Sequence, residues 1–165
     1  MGKDSLWRYS ASGAFLSSLG GIPVRRGTAD REALRASEQA IKDGEPVVLF
    51  PEGTRRSGPV VQPILEGAVF VAARAGVPIV PVGIGGSEWA MRKGSFLLLP
   101  VKVALVVGNP IAPPALSAGG RVPRQELTRV SAELHKELQE LFDRALMLAG
   151  RSSPPAGQSS PPGEA

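Results

Sequence analysis

The hexapeptide Phe50-Pro51-Glu52-Gly53-Thr54-Arg55 places a guanidinium, a carboxylate, a hydroxyl and a glycine side by side. The planar guanidinium fork pairs bidentately with phosphate oxygens. The carboxylate accepts from ligand hydroxyls, and the glycine lets backbone N–H groups come close. Together they suit a ligand that carries both a phosphate and a polyol. A surface turn with solvated charges accounts for the same residues, and the loop alone does not decide between the two. A second segment, Gly21-Ile22-Pro23-Val24-Arg25-Arg26, ends in two more guanidinium groups. Forks from two neighbouring strand ends can chelate one phosphate, which a single surface arginine rarely does.

Other chemistries find little support. The single histidine, His135, follows Leu134 and precedes Lys136, and neither Ser131 nor Gln139, one turn away, is a carboxylate. It reads as a helix-surface residue with no orienting acid. Gly85-Gly86-Ser87-Glu88-Trp89 begins like a Gly-x-Ser-x-Gly nucleophile elbow but ends in tryptophan, and no base other than His135 lies downstream. Neither a Walker-type phosphate loop nor a Gly-x-Gly-x-x-Gly fingerprint follows a strand, so no nucleotide cofactor is expected. No cysteine is present, and the carboxylates are scattered, so no metal site is expected. The net charge of +4 favours anionic partners. The last helix, however, alternates Arg129, Glu133, Lys136, Glu137, Glu140 and Arg144, a balanced solvated face and not a nucleic-acid stripe.

The elements that must position these residues follow from periodicity. Residues 11–19 predict a short apolar helix stopped by Gly20-Gly21, and Ile22–Arg26 an extended piece suited to a sheet edge. Thr28 or Asp30 can cap a helix running to about Asp43, with Gly44 as its stop. Val47–Phe50 predicts a core strand delivering its loop to a sheet edge, followed by loop over Gly53–Gln62. A helix over Ile64–Ala75 ends at Gly76, and Pro78–Val82 predicts a strand. Gly83–Gly94 reads as a glycine-rich loop with the island Trp89-Ala90-Met91. Phe96–Leu99 and Lys102–Val107 predict two further extended segments. In the last helix Leu127, Val130, Leu134, Leu138, Leu141, Ala145 and Leu148 recur at spacings of three and four. This alternation predicts an α/β fold, a mainly parallel or mixed central sheet flanked by helices. Residues 1–150 form one domain, and 151–165, rich in Ser, Pro and Gly, read as a disordered tail. No run approaches the length of a membrane span, and the first residues lack the apolar core of a signal peptide.

At the two arginine segments the chain resembles the lysophosphatidic acid acyltransferase family, the 1-acylglycerol-3-phosphate O-acyltransferases or bacterial glycerolipid acyltransferases. Gly21–Arg26 is similar to that family's second sequence block, with Arg26 at the place of a phosphate-binding arginine and Arg25 where an acidic residue is common. Phe50–Arg55 matches the third block without departure, and Val77-Pro78-Ile79-Val80-Pro81-Val82 the weaker fourth. The resemblance covers roughly residues 1–112. Leu65-Glu66 stand before Gly67 where many members carry a basic residue.

The resemblance implies a glycerolipid acyltransferase-like fold and transfer of an acyl chain from acyl-CoA or acyl carrier protein to 1-acylglycerol 3-phosphate. It implies that Arg26 and Arg55 hold the phosphate and Glu52 the glycerol. Gly53 and Thr54 would shape the loop, and Phe50 and Pro51 would anchor it on its strand. No cofactor is implied beyond the co-substrate, and a peripheral place at the inner face of the membrane, on the cytoplasmic side, is expected. The family's first block, a histidine followed four residues later by an aspartate, supplies the general base. It belongs upstream of Met1, so no catalytic residue is assigned in this chain, which is expected to be inactive alone. Two origins are open: a methionine within a longer frame, preferred because Met1–Trp7 resembles family interior, or an N-terminal truncation. A truncated domain would expose unpaired edge groups and apolar surface. The alternatives in function are a non-catalytic phosphate- or lysolipid-binding remnant and an acyltransferase acting on another lysolipid.

Overall fold

The computed structural model describes residues 2–3, 14, 21, 23–24, 31–53, 58, 60–90 and 99–151. Arg25, Arg26, Thr54, Arg55 and Arg56 lie outside them, as do most of the segments predicted at 11–19 and 96–99 and the tail beyond Arg151. The described elements are β1 (Gly2–Lys3), β2 (Pro23–Val24), α1 (Arg31–Lys42), α2 (Gly67–Ala75), β3 (Val82–Gly85), the short α3 (Ser87–Ala90), β4 (Ala104–Val107) and α4 (Arg124–Leu148).

The fold is α/β, and its described strands form two separate two-stranded sheets, one parallel and one antiparallel. β1 and β2 pair in parallel, with Gly2 opposite Pro23 and Lys3 opposite Val24. β3 and β4 pair antiparallel, with Val82 opposite Val107 and Gly85 opposite Ala104. The antiparallel run extends beyond β3 through mutual hydrogen bonds between Ile79 and Ile111, at 2.9 and 2.8 Å. Two residues separate Ile79 from Val82, and three separate Val107 from Ile111, so the second strand bulges around Gly108-Asn109-Pro110. Pro81 has no N–H to give the ladder there, although its carbonyl accepts from Gly108 N at 2.9 Å. This splits the strand expected over Pro78–Val82.

That strand also runs further than expected. Gly83 and Gly85, assigned to a loop from the sequence, are residues of β3 whose missing side chains admit α4. A Cβ on Gly83 would fall 2.3 Å from the carbonyl carbon of Leu141, and one on Gly85 would fall 2.3 Å from that of Ala145. The helix therefore lies directly on the strand backbone, with Val106, Leu141 and Ala145 buried beside the contact. The opposite face of the pair is apolar and open: Leu105 and Val107 are exposed.

Val47–Phe50 forms no strand among the described residues, contrary to the strand expected there. A period of two survives in its burial, Val47 and Leu49 being half-buried and Val48 and Phe50 exposed. The helices follow the sequence more closely. α1 stops at Gly44 and α2 at Gly76, each in the left-handed region. At Gly76 the two N–H groups of Gly76 and Val77 return to the carbonyls of Ala73 and Ala72, the paired bonds of a Schellman stop. α4 buries Val130, Leu134, Leu141 and Ala145 as its spacing requires, and Val130 and Leu134 meet Val69 of α2 and Ile111 in the main cluster. Leu148 is exposed at the last position of α4, and Leu146 takes the buried place instead. α1 and α2 are tied by Glu38, which pairs with Lys42 at 2.7 Å and with Arg74 at 3.4 Å. No helix among the described residues is long and apolar enough to cross a membrane.

Candidate functional site

The third-block loop opens as a tight turn. Gly53 N donates to the Phe50 carbonyl at 3.0 Å, with Pro51 second and Gly53 fourth in the turn. These are the residues such turns favour: proline sets φ at the second position, and glycine takes the positive φ, here +67°, that follows. The turn is then fastened to the chain leaving it. Leu65 N donates to the Pro51 carbonyl at 2.7 Å. Gln62 N donates to Glu52 Oε2 at 3.2 Å, so the carboxylate points back across its own loop. A carboxylate has acceptor capacity beyond one such bond, which leaves Glu52 able to take ligand hydroxyls as well.

Phe50 is 63% exposed, and the anchors are the Pro51 carbonyl and the Glu52 carboxylate. Of the sequence-assigned site residues the structure places Phe50, Pro51, Glu52 and Gly53 together in this turn. Arg26, Thr54 and Arg55 are outside the described residues.

Two residues of α4 reach the loop, and no local pattern connects either of them to it. His135 Nε2 lies 2.9 Å from the Val61 carbonyl, which can only accept, so the imidazole donates. Gln139 Oε1 accepts from Val61 N at 2.7 Å. The Gln139 amide is oriented by its other end, which donates from Nε2 to Asp143 Oδ1 at 2.9 Å. Both polar groups of the Val61 backbone are thus held by side chains one helical turn apart, and Val61 itself is buried. His135 is half-buried and engaged, not the solvent-side residue expected. The signal was out of reach of local pattern, because 74 residues separate it from its partner.

The family model for acyltransferases matches residues 1–85, more than half of the 165-residue chain. The chain belongs to the acyltransferase family. The matched stretch of this acyltransferase-family chain contains both arginine segments and the Phe50–Gly53 turn. It is 29% identical over 142 residues to a 1-acyl-sn-glycerol-3-phosphate acyltransferase of Bacillus subtilis, covering 86% of this chain and 67% of that protein. A relative of the same name from Limnanthes alba is 33% identical over 90 residues, 50% of this chain and 32% of the plant protein. The crystal structure of the 1-acyl-sn-glycerophosphate (LPA) acyltransferase PlsC from Thermotoga maritima superposes with a TM-score of 0.62 at 28% identity. That match covers 84% of this chain and 54% of the solved one, so the chain spans about half the length of that structure. The α/β glycerolipid acyltransferase fold expected from the resemblance is therefore the fold found.

Proposed function

We propose that the chain works in phospholipid synthesis, where an acyl group passes from acyl-CoA or acyl carrier protein to the free hydroxyl of 1-acylglycerol 3-phosphate. The observation that carries this reading is the Phe50–Gly53 turn, fixed with Glu52 fastened inward, within the stretch matched by the family model. In this reading Arg26 and Arg55 hold the phosphate monoester, a dianion that two guanidinium forks suit. Glu52 fixes the glycerol, and Gly53 and Thr54 shape the loop around it. Phe50, largely exposed beside the turn, is available to the lipid, and Pro51 sets the turn.

The group that takes the proton from the attacking hydroxyl is not among these 165 residues. The single histidine is followed four residues on by Gln139, and its Nε2 already serves Val61. The expected result is a chain that binds lysophosphatidic acid but makes no phosphatidic acid when supplied with acyl-CoA. Robust transfer by the purified chain, abolished by Arg55→Ala, would overturn that division of labour. Since acceptor and product are both lipids, a peripheral membrane contact at the cytoplasmic face is part of the proposal. Trp7, Tyr9, Lys3, Arg8 and residues 11–19 are its interface groups. Trp7→Ala should release the chain from anionic liposomes in a sedimentation assay, and undiminished binding would count against the contact.

A further inference from the structure

We infer that His135 and Gln139 are positioning residues for the Glu52 loop, clipping Val61 so that Gln62 presents its N–H to the Glu52 carboxylate; this rests on the acyltransferase reading above. The connection is a short run of direct bonds. The imidazole holds the Val61 carbonyl and the amide oxygen of Gln139 holds the Val61 N–H. The next N–H along, that of Gln62, donates to Glu52 Oε2 at 3.2 Å.

The order of rigidity supports the direction of the effect. Val130, Leu134 and Leu141 on α4 are among the most buried side chains described, so the helix is the fixed part. Residues 51–53 and 60–65 have no ladder or helix of their own and depend on outside partners for their backbone groups. Two-point capture at one residue fixes both position and rotation of the peptide, whereas a single bond leaves it free to swing. Asp143 in turn orients the Gln139 amide so that its oxygen faces Val61 N. The clip acts on the residue assigned to the glycerol, whereas the phosphate is assigned to the two arginines. It should therefore govern recognition of the glycerol part of the acceptor more than of the phosphate.

The test uses the full 165-residue chain with His135→Leu, Gln139→Leu and His135→Gln, whose amide nitrogen can still donate to the Val61 carbonyl. Two probes separate glycerol from phosphate: monomeric lysophosphatidic acid, and dodecyl phosphate, which has the monoester and an alkyl chain but no glycerol. Exchange of the Gln62 amide is followed by NMR in the same samples. The two leucine variants should lose about fivefold in affinity for lysophosphatidic acid, the scale of one lost hydrogen bond. They should keep their affinity for dodecyl phosphate and exchange the Gln62 amide faster, and His135→Gln should restore both properties. Unchanged exchange and affinity in the leucine variants overturns the clip while leaving the acyltransferase reading intact. Equal losses for both probes, or no rescue by His135→Gln, reduces the pair to a structural prop and overturns the positioning role. No lysophosphatidic acid binding by the wild-type chain sinks the acyltransferase reading and this role with it, the amide exchange then reporting the clip alone.

Discussion

Replacing Gly85 by alanine tests the closeness of α4 to β3, the contact on which the arrangement of the domain depends. The new Cβ would stand 2.3 Å from the Ala145 carbonyl carbon, 2.4 Å from Leu146 N and 2.6 Å from the Ala145 oxygen. All three are helix backbone, so no rotamer change relieves the clash. Ordinary contact begins near 3.4 Å, and the difference of about 1.1 Å has to come from retreat of the helix. A retreat of that size forfeits a large part of the dispersion energy across the interface, where Leu141 and Ala145 are now almost fully buried. Overpacking of this kind costs about 3 kcal/mol, near the upper end of its usual range. Gly85 does not sit at positive φ, so alanine recovers about 0.4–1 kcal/mol by restricting the unfolded chain. The net loss is then about 2 kcal/mol, a fall in Tm of ~4–8 °C for a chain of this size. Thermal melts followed by circular dichroism, with a urea midpoint as a second reading, measure it. Gly119→Ala is the control, because a Cβ there meets nothing within 4 Å. A Gly85→Ala chain that melts with the control, or above it, would refute the reasoning.

Two other substitutions bear on stability. Ser131 is buried on α4 and its hydroxyl has no partner among the described residues, so Ser131→Ala should raise stability by about 1 kcal/mol, visible as a higher urea midpoint. A lower midpoint would mean the hydroxyl is bonded. The hydrogen bond from Lys42, and after it Arg74, holds the Glu38 carboxyl below its ordinary value. Its tie between α1 and α2 is therefore complete above the ordinary carboxylate range and is lost as pH falls through the lowered value. Glu38→Gln should cost up to about 1 kcal/mol at pH 7, with the gap to wild type closing in acid. A gap independent of pH would contradict this.

Local rules carried the sequence reading where the cause was local. Gly44 and Gly76 stop their helices at the expected residues, and Pro51 and Gly53 specify a turn that forms as their types require. The stripe from Leu127 to Ala145 foretold which face of α4 is buried. The clearest misreading has a distant cause. Gly83 and Gly85 look like loop residues until Leu141 and Ala145 arrive from some 60 positions away to occupy the space their side chains lack. Pro81 and the bulge at Gly108–Pro110 divide a strand whose composition looked continuous. Val47–Phe50 kept its alternation but forms no strand among the described residues. For the candidate site, residue types specified the Phe50–Gly53 turn, whereas the bonds from His135 and Gln139 depend on a helix that no spacing rule connects to Val61.

The central claim is that the Phe50–Arg55 loop, with Arg26, recognises a lysolipid bearing a phosphate monoester. Its most direct test is equilibrium titration of the purified chain with monomeric lysophosphatidic acid and, in parallel, with lysophosphatidylcholine of the same acyl chain, whose phosphate is capped by choline. Saturable binding that favours lysophosphatidic acid and is lost in Arg55→Ala is the predicted result; equal binding of the two lipids, or binding untouched by Arg55→Ala, would contradict it.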